Sequence, residues 1–465
     1  MPPNVPPNVP PNVPPNVIVV FTDQQRWDTV GPFTPNLDRM ARHGTQATVA
    51  LTPQPVCAPA RSALQTGRYP TTTGVHRNGR VLPAGERTLA HHFGEAGYAT
   101  GYIGKWHLAG SEPVPEEERG GYRSWLAANA LEHTSDAYRT IMYDEANEPV
   151  MLPGYRSDAL VDAAVRFAAD HHDEPFYLFL SFLEPHHQNE VDNYPAPDGY
   201  EERYQGRWMP QDLAALGGTA HQHMGGYLGQ VKRLDEGLGR LLDALRSMDL
   251  LDNTIVAYTS DHGNHFKTRN GEYKRSCHDA SLRVPLALRG PGFDGGGAIS
   301  RPVSTVDLPP TLLEAAGLPV PASMQGRSFL PLVRDPRAPW PEEAFFQVSE
   351  SEVGRGIRTA RWKYYAVAED ADPWDVPAAA RYREQALYDL DNDPHELVNL
   401  AGRTSHAEVA GGLRERLVRR IVAAGEAEPV IEPAAELAGP DQGMTDPAVR
   451  LHGPKPVRFG HQPRP

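Results

Sequence analysis

The chain reads as an α/β protein: one large, mostly parallel β-sheet sandwiched by helices, then a smaller C-terminal unit of antiparallel strands packed by a helix. Three observations lead there. Short apolar runs rich in β-branched residues recur along the first two thirds of the chain, helical patterns lie between them, and polar clusters follow most of them at once. At 465 residues there is material for one large domain plus a smaller one, with ample core.

The chain opens on four copies of Pro-Pro-Asn-Val over residues 2–17. The first three read as a disordered proline-rich extension (residues 1–14), and the fourth runs into the fold. Residues 17–21 (VIVVF) are the first buried strand, followed by TDQQ. Residues 176–182 (FYLFLSF) are followed by LEPHHQN, residues 254–259 (TIVAYT) by SDHGNH, and residues 285–288 form a fourth run. Between them, Leu228, Val231, Leu234, Leu238, Leu241, Leu242 and Leu245 make one apolar stripe of a long helix. Polar ligands collect beyond the carboxyl ends of parallel strands, so the three polar clusters are expected to share one site.

A second unit begins near Trp340, with strands expected at 345–349, 356–365 and 386–390 and a helix at 407–424. The divisions are then a catalytic unit over 15–338, a C-terminal α+β unit over 339–425, and an irregular tail over 426–465.

Lys+Arg number 45 against 59 Asp+Glu, a net charge of −14, which argues against nucleic acid or an anionic membrane as the main partner. A small basic pocket would stand out against that background. Two cysteines leave no disulfide framework, and no apolar run reaches membrane-spanning length. With no basic, apolar leader in view, the cytoplasm is the expected location. The oligomeric state is not legible.

The chemistry concentrates at residues 57–61, Cys-Ala-Pro-Ala-Arg, inside PVCAPARSALQTGRYP. Pro59 suits a first helical turn and Gly67 a stop, so Cys57 is expected at a helix N-terminus, where backbone N–H groups favour an anion. Arg61, one turn on, adds a fixed cation. A buried thiol capping a helix is the plainer alternative. Asp23-Gln24 and Asp261-His262 each follow a buried strand. Three oxygen-type side chains and an imidazole suit Ca²⁺ or Mg²⁺ better than structural zinc, although either pair alone reads equally well as a cap or a hydrogen-bonded loop.

Cys-x-Pro-x-Arg, TDQQR and TSDHG together resemble the type I sulfatases of the alkaline phosphatase superfamily. The likeness extends over TPNLDRMARHG (34–44), residues 88–110 with GKWHL, and LYDLDNDPHELVNLA, most of the chain from Pro15 to Ala401. It implies that Cys57 is converted to formylglycine (3-oxoalanine) by a formylglycine-generating enzyme and that its hydrated aldehyde is the nucleophile. It implies a divalent cation, Ca²⁺ first and Mg²⁺ or Mn²⁺ as alternatives, on Asp23, Gln24, Cys57, Asp261 and His262. Family members often carry a second aspartate where this chain has Gln24, a feature shared with choline-sulfatase-like and phosphonate-hydrolase-like branches.

The resemblance also implies that Lys105 and His107 of GKWHL hold sulfate, with His107 assisting its release. His186 is expected to contact the ester oxygen, ahead of His187. Asn78 lies near the nucleophile. Aligning on Ser281, Arg283 and Pro285 makes Lys274 the last sulfate-holding lysine, with Lys267 the alternative. Arg61, Lys105, Lys274 and the cation would neutralise sulfate oxygens, while His186 or Lys274 protonates the departing alcohol.

The expected activity is hydrolysis of a sulfate monoester, of a small molecule or an oligosaccharide, with a carbohydrate sulfate favoured by analogy. A phosphonate monoester or phosphodiester hydrolase would use the same constellation. An unmodified, non-catalytic anion-binding protein is the reading from another class. Trp106, Trp125, Tyr194, Tyr204, Trp208, His221 and His223 are candidates for a sugar-binding cleft, or equally for packing.

Overall fold

The computed structural model describes residues 13–436. The proline-rich repeat through residue 12 and the tail beyond 436 lie outside the described residues.

Ten strands form the main sheet, in the spatial order 297–299, 45–47, 286–289, 254–260, 16–22, 176–181, 99–105, 124–128, 141–143 and 149–151. The five strands Thr254–Ser260, Asn16–Thr22, Phe176–Ser181, Ala99–Lys105 and Ser124–Ala128 run parallel, and these carry the centre of the molecule. The strand Leu286–Arg289 turns back antiparallel to Thr254–Ser260, and the opposite edge is an antiparallel meander, so the sheet is mixed with a parallel core.

Period-two alternation splits the apolar runs between two faces. Val17, Val19, Phe21, Tyr177, Phe179, Ile255 and Ala257 pack into one core, together with Leu89, Phe93, Leu308 and Leu312. Ile18, Val20, Leu178, Leu180, Val256 and Tyr258 pack into the other. There they meet Leu160, Ala164 and Phe167 of the helix Arg156–Asp170 and Leu234, Leu238, Leu241 and Leu245 of the helix Ala220–Ser247. A strand apolar on every residue is therefore one with helices on both sides, as the runs require.

Register decides where the polar clusters fall. Thr22 pairs with Ser260, Phe21 with Ser181, and Lys105 with Ala128, so neighbouring parallel strands end level and residues 23, 105, 182–186 and 261 emerge along one edge. Gly104 permits this closeness: its φ is +113°, and a Cβ there would lie 1.7 Å from Ser181 O.

The C-terminal sheet has five strands, Glu343–Val348, Gly354–Thr359, Trp362–Val367, Arg381–Asp389 and Val430–Glu432, covered by the helix Ala407–Ala423 through Leu413, Leu417 and Ile421. Two expectations change. The run 356–365 is a hairpin rather than one strand, because the chain turns at Ala360 and Arg361. The stretch from 426, expected to be irregular, supplies a last strand that lies parallel to Arg381–Asp389. No helix among the described residues is long and apolar enough to cross a membrane.

Candidate active site

Cys57 opens the helix Cys57–Thr66, which ends at Gly67 with φ +68°, and every residue of this helix is buried. Its N-terminus has no cap of its own. The Oδ1 of Asn78 accepts the N–H of Ala58 at 3.0 Å instead, so that donor is spent on protein rather than left for an anion. Asn78 is in turn held by its own N–H, which donates to Glu350 Oε1 at 2.6 Å.

Four donor atoms gather around the thiol. One ligand atom each from Asp23, Cys57, Asp261 and His262 lies within 4.8 Å of every other, all from buried residues. Cys57 Sγ is 3.4 Å from His262 Nε2 and 3.7 Å from Asp23 Oδ1. Gln24 belongs to the same turn. Its backbone has φ +71° and its N–H donates to Asp261 Oδ1 at 2.9 Å. Its Oε1 is buried without a hydrogen-bond partner among the described residues. A buried amide oxygen with no donor is costly in a protein alone. It fits a cation, as do two carboxylates facing one imidazole.

The electrostatics agree. Burial, reinforced by the nearby Asp23 carboxylate, pushes Asp261 up to about 6. Burial and Cys57 also oppose the charge on Asp23, but Lys105, His186 and Arg61 outweigh them and hold it well below the usual carboxylate range. For Cys57, burial is likewise outweighed, by Lys105, Lys274 and His262, and the thiol titrates well below its ordinary value.

The cations divide by position. Arg61 donates through Nη1 to Lys105 O (2.9 Å) and Ser181 Oγ (2.7 Å), and through Nη2 to Asp23 Oδ2 (3.0 Å) and Asp261 Oδ2 (3.4 Å). Those groups lie behind the carboxylates, so the guanidinium holds them in place instead of pointing at a substrate. Lys105 Nζ bridges Asp23 Oδ2 (2.7 Å) and Glu132 Oε1 (2.8 Å). Of these three cations, Lys274 is the one whose Nζ reaches Cys57, 2.8 Å from Sγ, and it lies 3.2 Å from His186 Nε2. Lys267, the alternative, pairs with Asp192 at 2.8 Å instead. The Lys274 backbone is pinned, its carbonyl accepting from Asn270 Nδ2 and lying 3.0 Å from His265 Nε2.

His107 has φ +62°, so the backbone leaves the extended conformation just after Lys105; its Nδ1 lies 3.6 Å from Glu132 Oε1 and its ring hydrogen-bonds to Cys57. His186 Nδ1 lies 2.5 Å from the carbonyl of His187, while His187 packs on Tyr273 at 4.2 Å between centroids.

Glu132 and Glu350 escaped the sequence analysis. Neither stands in a recognisable motif; each is found only through the buried lysine, histidine or amide it faces. The proposed cleft aromatics are largely core: Trp106, Trp125 and Tyr194 are buried, with Trp125 stacked on Tyr102 and Trp106 edge-on to it. Tyr204 and Trp208 pack on Phe33.

The sulfatase family model matches residues 15–318, and the C-terminal model of N-sulphoglucosamine sulphohydrolase matches residues 271–423. The chain is 29% identical over 438 residues to an ulvan-active sulfatase of Formosa agariphila, covering 88% of this chain and 81% of that one. The structure of BT4656 with its substrate D-glucosamine-2-N,6-O-disulfate superposes with a TM-score of 0.74 at 24% identity, covering 90% of this chain and 99% of the other. A phosphonate monoester hydrolase of Agrobacterium radiobacter superposes at 0.68 with 23% identity, covering 88% and 96%.

Proposed function

The chain belongs to the sulfatase family, whose chemistry is sulfuric ester hydrolysis, and we propose that its substrate is the sulfate monoester of a carbohydrate, cleaved at Cys57 after that residue is converted to formylglycine. The observation that carries this is the convergence on Sγ of Lys274 Nζ, His262 Nε2 and Asp23 Oδ1 inside a buried pocket of charge. Family relatives that act on sulfated sugars support the carbohydrate. The formylglycine, once formed, would supply an oxygen nucleophile that a thiol is not.

Asp23, Gln24, Asp261 and His262, with residue 57, would hold a divalent cation, Ca²⁺ foremost, which would neutralise sulfate oxygen charge. The side chains divide the remaining work. Lys274 presents an N–H to the sulfate and the departing alcohol. His186 points its Nε2 at Lys274 and keeps that ammonium oriented. His107, with Glu132 behind it to stabilise the imidazolium, is placed to take a proton from the nucleophile's side. Lys105 and Arg61 hold the carboxylates. We place the catalytic unit at 15–338 and the C-terminal unit from 339 onward.

Protein co-expressed with a formylglycine-generating enzyme should show CH₂SH replaced by CHO on the peptide containing VCAPAR, and should hydrolyse sulfated monosaccharides with Ca²⁺ bound by elemental analysis. Cys57→Ala should abolish turnover. An unmodified, inactive wild type that still binds sulfate would overturn the reading in favour of an anion-binding protein. Preference for a phenylphosphonate ester over every sulfate ester would instead favour a phosphonate hydrolase, a second reading to which the neutral Gln24 in the donor set lends weight.

A further inference from the structure

We infer that Arg77 and Trp374 form a second anion subsite beside the nucleophile, and that the substrate carries a second negatively charged group, a sulfate or a carboxylate, on the sugar next to the scissile ester. The inference rests on the carbohydrate reading above.

Arg77 is half-buried immediately before Asn78, the residue whose side chain holds Ala58 N–H. The one hydrogen bond its guanidinium donates runs from Nη1 to Asn78 O at 3.0 Å, and its Nε is buried with no partner among the described residues. It forms no ion pair there. The buried arginines nearby are neutralised: Arg61 by Asp23 and Asp261, Arg275 by Glu272 and Glu350. Arg80, three residues on and exposed, has no carboxylate partner among the described residues either. Arg77 and Arg80 thus place two positive charges without a carboxylate partner among the described residues on the segment that carries Asn78. A half-buried guanidinium that donates to one carbonyl and meets no carboxylate keeps donors and charge available for an anion.

The second component comes from the C-terminal unit. The Arg77 guanidinium lies over the Trp374 ring, 5.3 Å from its centroid, and the His76 ring bonds to the Trp374 backbone. Trp374 Nε1 is itself buried without a partner. The loop is fastened to the site, since Glu350 N–H donates to Pro373 O at 3.2 Å and the Glu350 carboxylate takes the N–H of Asn78. Trp374 thus fixes the plane of Arg77, leaving the rest of a planar donor fork available for a carboxylate or a sulfate. Arg77 is followed directly by Asn78, whose Oδ1 accepts the N–H of Ala58 on the nucleophile's helix, so one residue links the guanidinium to that helix.

The test uses the matured full chain and a panel of monosaccharide monosulfates, each paired with a disulfate and with a uronate-containing analogue. Wild type should prefer the doubly charged member of a pair, and Arg77→Gln should lower that preference about 10- to 100-fold, chiefly through KM. Arg77→Lys should keep part of it, and Trp374→Leu should weaken it with charge intact. Whether the disulfate or the uronate shows the larger drop identifies the anion. If wild type cleaves monosulfates with no preference, or if Arg77→Gln lowers all substrates by one factor, the subsite is overturned while the sulfatase reading stands. If wild type cleaves no sulfate ester at all, the functional reading itself falls.

Discussion

Two of the places where the protein buries charge are built differently. Around Cys57, Arg61 and Lys105 occupy the rear oxygens of Asp23 and Asp261, while Asp23 Oδ1, the thiol and His262 Nε2 face one another and Gln24 Oε1 is buried without a partner among the described residues. At the junction with the C-terminal sheet, Asp279 instead meets Lys363 at 2.6 Å and Arg358 at 3.2 Å, and Lys363 also pairs with Glu396. Burial alone would raise Asp279, but Arg358 and Lys363 hold it well below the carboxylate range, whereas Asp261 is pushed up to about 6. A cluster that serves the fold places opposite charges against each other. A cluster that serves chemistry leaves its donors converging on a space that a cation fits.

The largest effect that would test this contrast is on turnover. Asp261→Asn should cost about 10³-fold or more in kcat/KM with loss of bound metal, yet should not lower the urea midpoint of metal-free protein, because it relieves repulsion with Asp23. A large loss of metal-free stability would break the contrast. Lys363→Met should do the reverse. It removes the ammonium that Asp279 and Glu396 share and leaves Asp279 to Arg358, so urea unfolding should show a loss of about 3–5 kcal/mol while activity per folded molecule persists. A neutral outcome would mean that this cluster is not self-balancing.

Glu350, from the C-terminal unit, reaches the Cys57 region, holding Asn78 N–H and Arg275, the neighbour of Lys274. Glu350→Gln should lower kcat about 10- to 100-fold with little change in KM, as loss of a positioning carboxylate does. The smallest effect concerns Glu112, which burial pushes from 4.5 up to about 7. The folded state then keeps a proton that the unfolded chain has lost, so this residue makes stability fall as pH rises between those values. Glu112→Gln keeps an acceptor for Asn129 N–H and should flatten that slope in unfolding measured across the same pH window.

Much of the site was legible because its residues sit where local sequence and position in the sheet coincide. TDQQ and SDHG each follow a buried strand, and parallel strands that end level must bring such clusters together. Cys57 and the limits of its helix were readable from Pro59 and Gly67. Less legible were residues whose role depends on what they face. Trp106 and Trp125 look like cleft aromatics in one dimension and are core in three. Arg61 reads as a cation aimed at an anion, yet its Nη1 and Nη2 are taken by Asp23, Asp261, Ser181 and the Lys105 carbonyl. The hairpin at 354–367 was hidden because Ala360 and Arg361 carry no strong turn signal.

The sequence by itself determined the fold class, the place of Cys57 at a helix N-terminus and the pairs of candidate metal donors, because apolar periodicity and short-range motifs are local properties of the chain. Tertiary structure alone decided that Lys274 and not Lys267 reaches Cys57, that Glu132 stands behind Lys105 and His107, and that Glu350 holds Asn78 from another sheet. Those partnerships join residues far apart in sequence through burial and hydrogen-bond geometry. Which buried charge finds a partner is settled only when the strands and loops that carry them are brought into register.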